Sequence, residues 1–243
     1  MQALLTGGSG RLGTELRHLL PSFIAPSSTT LDITAPTSID QAFQTHAPNL
    51  IIHAAAYTDV AGAEIDKRTC WQVNVEGTRN VVRAALGHNI PLVHISTDYV
   101  FYGDRGNYRE DDPPGPVRNV YALSKLVAEE LVRLVSEHLV IRTSFRPREW
   151  AYPVAFDDVY TSQDYVDIIA PEVALAIERF REISFDTLHI ATERKSVYEL
   201  ARRRKPEVER GSKTSVAVDL PDDISLDVSR WRALREELLQ QLG

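Results

Sequence analysis

The sequence predicts an α/β fold in which a parallel, doubly wound sheet carries helices on both faces. Continuous apolar runs at 50–54 and 91–96 are typical of strands that are buried on both faces. Segments with apolar residues at helical spacing, at 11–20 and 75–86, lie between such runs, and this alternation indicates parallel pairing. Right-handed crossovers then bring the carboxyl ends of the strands to one edge, where a ligand crevice forms.

The individual elements follow from local patterns along the chain. The first strand ends in a glycine-rich turn, and the helix behind it places Leu12, Leu16 and Leu20 on one face. Ser38 is a candidate N-cap for the second helix. Gly, Pro and Asp are frequent at 102–119, which predicts a long surface loop. The predicted strands are 4–6, 23–25, 50–54, 91–96, 139–142 and 188–190, and the predicted helices are 11–20, 38–43, 75–86, 121–135, 166–181, 197–204 and one from 229 onward.

The alternation becomes less regular after Arg142, where prolines and aromatic residues replace it. We therefore expect a dinucleotide-binding domain over 1–143. Residues 144–243 are expected to form a reduced substrate-binding lobe over the crevice, partly interleaved with the first domain and not independent of it.

Composition limits the classes of function. A length of 243 residues suits one large domain or a domain with a small lobe, and the net charge of −7 argues against a nucleic-acid-binding protein. Cys70 is the only cysteine, so the chain cannot form an internal disulfide, and it fits a reducing compartment. No apolar run is long enough to cross a bilayer, so we expect no membrane association and a cytoplasmic location.

The glycine-rich turn predicts a dinucleotide site. Gly7, Gly10 and Gly13 follow a predicted strand and open a helix, where glycine permits positive φ and close approach of the backbone to a diphosphate. NAD sites usually present an acid after the second strand, but residues 25–28 read Ala-Pro-Ser-Ser. Arg11 lies inside the turn, where its guanidinium could meet a 2′-phosphate. NADP(H) is therefore favoured over NAD(H).

Tyr121 and Lys125 predict the chemistry. Four residues apart, they share one helix face, and the lysine charge is expected to lower the pKa of the phenol so that it can exchange a proton. Thr97 places a hydroxyl at the end of a buried strand, where it could hold a substrate carbonyl. A dinucleotide site combined with this group of side chains indicates a nicotinamide-dependent oxidoreductase.

Several motifs together resemble the extended short-chain dehydrogenase/reductase family, and within it the dTDP-4-dehydrorhamnose reductase branch. They extend over residues 1 to about 145 and comprise Thr6-Gly-x-x-Gly-x-x-Gly13, Ala54-Ala-Ala-Tyr-Thr58, Asn74-x-x-Gly77-Thr-x-Asn80, Ser96-Thr-Asp-Tyr-Val-Phe101, Tyr108-x-Glu110-x-Asp112-x-Pro114 and Tyr121-x-x-Ser124-Lys125. The resemblance implies a Rossmann-like fold and reduction of a 4-keto nucleotide-linked deoxysugar, with a homodimer as one form of assembly.

The same resemblance implies roles for individual residues. It implies a catalytic triad of Thr97, Tyr121 and Lys125. The implied cofactor contacts are Gly7, Gly10, Arg11, Leu12, Gly13, Asp32 and Ile33 at the adenine, and Ala54, Ala55 and Ala56, together with Tyr121 and Lys125. The implied substrate contacts are Val60, Asp98, Tyr99 and Phe145.

Two features depart from this branch and leave alternatives open. Branch members usually carry tryptophan where this chain has Phe145, followed by a glycine-rich stretch, and the lobe here is shorter than usual. A non-catalytic dinucleotide-binding regulatory protein is one alternative, since the regulatory subunit of methionine adenosyltransferase resembles the same branch. A nucleotide-sugar epimerase or dehydratase is another. The sequence contains no pattern that points to a metal.

Overall fold

The computed structural model describes residues 2–216 and 220–241. A parallel sheet forms its centre, as the sequence predicts. Neighbouring strands of this sheet are parallel, and helical segments connect each strand to the next. In spatial order the strands are β1 (Ala3–Thr6), β2 (Leu50–His53), β3 (Leu92–Thr97), β4 (His138–Thr143) and β9 (Thr187–His189).

Three small two-stranded sheets follow residue 143. Two of the pairs are parallel and the third is antiparallel. They join β5 (Phe145–Arg146) to β8 (Asp164–Tyr165), β6 (Val154–Phe156) to β11 (Glu209–Gly211), and β7 (Tyr160–Thr161) to β10 (Lys195–Ser196).

Helices connect and cover the strands. A π-helical segment, Gln72–Gly77, runs directly into one of them, and three short 3₁₀ turns occupy Asp98–Val100, Phe180–Glu182 and Lys213–Ser215. The α-helices are α1 (Arg11–Leu19), α2 (Pro36–His46), α3 (Val60–Ile65), α4 (Lys67–Trp71), α5 (Thr78–His88), α6 (Val120–Val132), α7 (Val166–Glu178), α8 (Val197–Arg202) and α9 (Ser229–Gln240).

Two predicted elements differ from the structure. The strand expected at 23–25 is a single bridge, in which Ile24 pairs with Leu4 of β1 directly after a turn. Ser38 is not an N-cap. Helix α2 begins earlier, with Pro36 in its first turn, and the Ser38 hydroxyl instead accepts a hydrogen bond from the backbone N–H of Asp32.

The sheet separates two apolar cores, and alternate residues of each strand face opposite cores. On one face Leu5, Ile52 and Ile141 pack against α1, α7 and α9. On the other face Leu4 and Ile51 pack against α2 and α5. Burial on both faces is why the strands appear in the sequence as continuous apolar runs.

The second half of the chain completes the first core. Helix α7 packs against α1, and β9 forms the edge of the main sheet beside β4. Trp231 and Leu238 of α9 are buried in the same core as β1. The division at residues 143 and 144 into a dinucleotide domain and a lobe stays a prediction.

The glycine turn between β1 and α1 depends on two missing side chains. Gly7 has a φ of +74°, and a Cβ there would lie 2.6 Å from the backbone N of Ala55. A Cβ on Gly13 would lie 2.1 Å from the carbonyl oxygen of Gly7. Only glycine therefore lets α1 approach the end of the sheet this closely.

We expect Gly13→Ala to destabilise the protein by about 1–3 kcal/mol, because its methyl group cannot fit without displacing α1. Gly87→Ala is the matched control. Gly87 lies inside α5, and a Cβ added there would have no atom within 4 Å, so alanine should stabilise the helix by about 0.5–1 kcal/mol. Urea unfolding of both variants measures the difference, and equal stabilities would contradict the close contact.

Candidate active site at the carboxyl edge of the sheet

The face of the sheet that packs against α2 and α5 becomes polar toward the carboxyl ends of the strands. Apolar residues occupy its lower part, and ionisable or hydroxyl-bearing side chains occupy the positions two or four residues further along. Four such residues, all buried, are His53, His94, Ser96 and Arg142. His53 lies opposite His94 on the neighbouring strand. Ser96 lies opposite Arg142 in the same way.

Helix α6 covers this polar part of the sheet and is fixed to it by a buried ion pair. Glu129 on α6 accepts hydrogen bonds from Arg142 of β4, with the shortest distance, from Nη2 to Oε2, at 2.9 Å. Ser96 of β3 donates to Oε1 of the same carboxylate at 2.5 Å. Both charged side chains are at most 1% exposed. The carboxylate therefore ties α6 to two strands at once.

Lys125 lies one turn before Glu129 and points into the sheet. Its Nζ donates to the carbonyl oxygen of Ile95 at 2.7 Å and lies 3.2 Å from Nε2 of His94. Burial lowers the pKa of Lys125 to about 8, and the nearby Glu129 carboxylate opposes that shift. Burial and the lysine charge together lower the pKa of His94, which is therefore neutral.

Tyr121 lies one further turn toward the helix N-terminus, at the end of β3. Burial raises the pKa of its phenol above the ordinary value, and only the hydrogen bond with the Thr97 side chain acts in the other direction. The pKa of Tyr121 thus shifts in the direction opposite to the one expected from the sequence, because burial of the phenol outweighs the other influences on it. The buried phenol keeps its proton.

Thr97 and Asp98 end β3 beside Tyr121. The Thr97 hydroxyl donates to Oδ1 of Asp98 at 3.1 Å and accepts from the backbone N–H of Tyr99. Asp98 is fully buried, and burial raises the pKa of its carboxyl to about 6, although hydrogen bonds from Ser144 and Thr97 act against the shift. Its Oδ2 has no hydrogen-bond partner among the described residues.

An apolar and aromatic cluster packs against the Tyr121 side chain. Val60 of α3, Tyr57 and Tyr99 pack in one cluster with Tyr121, and the two rings of Tyr99 and Tyr121 meet edge to face at 6.0 Å. Phe145 belongs to a different cluster, packed against the core shared with α1 and α7. Of the four predicted substrate residues, Val60, Asp98 and Tyr99 thus lie around Tyr121 or Thr97, and Phe145 follows Ser144, which contacts Asp98.

Asn74 is a residue whose role the sequence does not reveal, although it belongs to a motif noted there. Its side chain accepts from the backbone N–H of Tyr57 at 2.7 Å and donates to the Ser124 hydroxyl of α6 at 2.9 Å. It lies in the π-helical segment, and such segments often mark functional sites. Asn74 therefore connects the loop after β2 to the helix that carries Tyr121.

The glycine turn fits a bound diphosphate. Helix α1 begins after Gly10 with no side-chain cap among the described residues and no acidic residue in its first turn, so its amide groups and its dipole favour an anion. Arg11 is exposed at the same end, whereas Leu12 is buried and anchors the helix. The loop Ala54–Ala56 faces this turn, and the Thr6 hydroxyl accepts from the N–H of Ala55.

Asp32 and Ile33, expected at the adenine, lie in the loop between the Ile24 bridge and α2. The carboxylate of Asp32 accepts from the N–H and the hydroxyl of Thr34, and is exposed. Ile33 is buried against Gly77, and its carbonyl oxygen accepts from the Asn80 side chain. Their contact with a cofactor stays a prediction.

A family model described as the RmlD substrate binding domain matches residues 1–150 of this chain. The chain belongs to this family. One relative, the dTDP-4-dehydrorhamnose reductase of Aggregatibacter actinomycetemcomitans, is 38% identical over 149 residues, which are 58% of this chain and 50% of the relative. The chain thus spans about half the length of the curated relatives it matches.

Solved structures extend the likeness over nearly the whole length of this chain. A hypothetical dTDP-4-dehydrorhamnose reductase from Sulfolobus tokodaii is 34% identical, with a TM-score of 0.84 over 96% of this chain and 94% of that one. The dTDP-4-dehydrorhamnose reductase of Bacillus anthracis, solved in complex with NADP, is 28% identical, with a TM-score of 0.83 over 96% and 92%. Membership of the extended short-chain dehydrogenase/reductase type and the Rossmann-like fold are thereby confirmed.

Residues 2–216 and 220–241 contain neither a helix that could span a membrane nor a cluster that could bind a metal ion. None of the helices there is long and apolar enough to span a membrane. That part of the chain also contains no group of three His, Cys, Asp or Glu side chains that could hold a metal ion.

We expect Glu129→Ala to destabilise the protein by about 3–5 kcal/mol, because it leaves the Arg142 guanidinium buried without a counter-charge. The double variant Glu129→Met/Arg142→Met removes both charges and should recover at least half of that loss. Urea unfolding midpoints measure both. A single variant that costs less than about 1 kcal/mol would show that the pair does not anchor α6.

Proposed function

We propose that this protein is an NADP(H)-dependent reductase of a 4-keto deoxysugar linked to a nucleotide. The observation that carries the proposal is the position of Tyr121. Its protonated phenol lies beside the Thr97 hydroxyl at the same sheet edge as the uncapped glycine turn. Relatives named dTDP-4-dehydrorhamnose reductase support this class of substrate.

The described residues fit a nicotinamide dinucleotide. Gly7, Gly10 and Gly13 would hold the diphosphate at the α1 N-terminus, and Ala54–Ala56 would line the adjoining crevice. When bound and reduced, such a cofactor supplies hydride to a carbonyl carbon. Asp32 and Ile33 are proposed to contact its adenine end.

Tyr121 is proposed to donate the proton that the carbonyl oxygen needs as it becomes an alcohol. Because burial raises the pKa of its phenol, the group holds that proton until substrate arrives. The Thr97 hydroxyl acts against this shift and so favours release of the proton. Lys125, one turn along the same helix, is proposed to supply positive charge to the site and to hold the nicotinamide ribose.

The sugar is proposed to lie between Val60, Tyr99 and Phe145. The free Oδ2 of Asp98 is an acceptor for a sugar hydroxyl, and its carboxyl, with a pKa of about 6, is mostly ionised at neutral pH. The aromatic ring of Tyr99 offers an apolar face to the pyranose ring. Together these groups suit a deoxysugar, which has both polar and apolar edges.

Arg11 and a cluster of hydroxyl groups favour NADP(H). Ser27, which follows the Ile24 bridge, hydrogen-bonds through its hydroxyl to the hydroxyl groups of Thr29 and Thr30, at 2.7 and 3.2 Å. Hydroxyl donors and an arginine suit a 2′-phosphate, whereas NAD sites present a carboxylate at this position. A homodimer and a cytoplasmic location stay predictions.

The first test follows oxidation of NADPH and of NADH in the presence of a freshly generated dTDP-4-keto-6-deoxysugar. We expect turnover with the wild-type protein, and Tyr121→Phe should lose at least about a hundredfold in kcat while it still binds cofactor, since it lacks only the proton donor. Tyr102→Phe removes the hydroxyl of a surface tyrosine and should leave the rate unchanged.

Any of three results would overturn the proposal. An unchanged rate in Tyr121→Phe would show that Tyr121 is not the proton donor. No oxidation in a wild-type sample that binds NADPH would favour a regulatory dinucleotide-binding protein. Tightly bound oxidised cofactor after purification would instead favour an epimerase or a dehydratase, in which hydride returns to the same sugar.

Arg11→Ala tests the choice between the two cofactors. We expect it to raise the KM for NADPH about tenfold or more and to change the KM for NADH less than about twofold, because only the former carries a 2′-phosphate. Arg232→Ala, which removes an exposed arginine of α9, is the control. Equal effects on both cofactors would show that Arg11 does not read the 2′-phosphate.

A further inference from the structure

The polar part of the sheet contains a histidine that the proposed reaction does not use. His94 is 1% exposed and lies in the middle of β3, between apolar neighbours Val93 and Ile95. Its Nε2 lies 3.2 Å from the Nζ of Lys125. An ammonium group can only donate, so Nε2 accepts this hydrogen bond and the imidazole proton lies on Nδ1.

The other nitrogen of this ring has no such contact. Nδ1 of His94 is buried and has no hydrogen-bond partner among the residues that the structure describes. A buried N–H without a partner costs stability, and an aliphatic side chain in this strand would avoid the cost. Beside its ring contact with His53, the contact with Lys125 is the polar interaction that distinguishes this histidine from a leucine.

We infer that His94 is a positioning residue for Lys125, holding the lysine ammonium in place and in its charged form one helical turn from Tyr121. The inference rests on the proposed function, in which the charge of Lys125 acts on the site. The carbonyl oxygen of Ile95 is the second acceptor, and the two contacts come from neighbouring residues of one strand. They fix the end of a side chain that would otherwise keep its rotational freedom.

Three titratable groups interact electrostatically with the Lys125 ammonium. His94 on β3 accepts its hydrogen bond, Glu129 on α6 favours its charged form, and His53 on β2 is a second neutral imidazole, with its ring 5.1 Å from that of His94. His53 is hydrogen-bonded to Thr6 and Thr78, so it is not an acceptor for the lysine. Burial opposes the charge on Lys125, and a neutral acceptor at His94 therefore matters to it.

The test compares His94→Leu, which removes the acceptor, with His94→Gln, which keeps an acceptor oxygen. We expect the alkaline midpoint of kcat/KM to move down by about one pH unit in the leucine variant, equivalent to a tenfold loss of charged lysine near that pH. The glutamine variant should restore most of the wild-type profile. His138→Leu, which replaces a partly buried histidine at the start of β4 whose ring contacts the carbonyl oxygen of Val135, controls for packing and should keep the wild-type midpoint.

A second measurement does not depend on catalysis. The chain has five lysines, so a protein labelled with [ε-13C]lysine gives a simple NMR spectrum, in which Lys125→Met identifies the Lys125 signal. We expect its titration midpoint in the unliganded protein to fall by about one pH unit in His94→Leu and to stay within about 0.3 in His94→Gln.

The outcomes separate this inference from the proposed function. An unchanged Lys125 midpoint in folded His94→Leu overturns the role of His94, whatever the activity. A shifted midpoint in a protein that oxidises no NADPH supports the role of His94 and overturns the reductase. Equal midpoints in the leucine and glutamine variants, both shifted, would show that packing and not the acceptor controls the lysine.

Discussion

The ion pair between Glu129 and Arg142 is the interaction on which the candidate site depends. It lies on the sheet face that α6 covers, and a hydrogen bond from Ser96 adds β3 to the link between α6 and β4. Helix α6 carries both Tyr121 and Lys125. An ion pair two helical turns from Tyr121 therefore fixes the position of the proposed proton donor. A pair of opposite charges this deeply buried can hold only a narrow range of geometries, because separating them leaves each charge desolvated without its partner.

The architecture could be predicted because each strand is buried on both faces, and this leaves a continuous apolar run that local patterns reveal. The glycine turn is equally predictable from the sequence, because Gly7 and Gly13 lie against backbone atoms that leave no room for a side chain. The prediction of a strand at 23–25 is wrong because only Ile24 has a partner on β1. Local apolar character does not report how many neighbours a segment will find.

The candidate site is predictable in its members and not in its contacts. Thr97, Tyr121, Val60 and Tyr99 do converge, as expected from strand ends that meet at one edge. The direction of the Lys125 side chain could not be predicted, because its acceptors lie about thirty residues earlier in the chain. The roles of Asn74, Glu129 and Arg142 are hidden for the same reason: they are defined by partners distant in sequence, and no local pattern encodes such a pairing.

The shared core of the two chain ends has a consequence for how the protein is made. Trp231 and Leu238 of α9 are buried against the same core as β1, and β9 joins the sheet more than forty residues after β4. During synthesis, the first four strands leave the ribosome with an unpaired edge and an uncovered apolar face. They must wait for the last helix before that core can close. Such long-range closure slows folding, and the waiting segments are natural clients for a chaperone during translation.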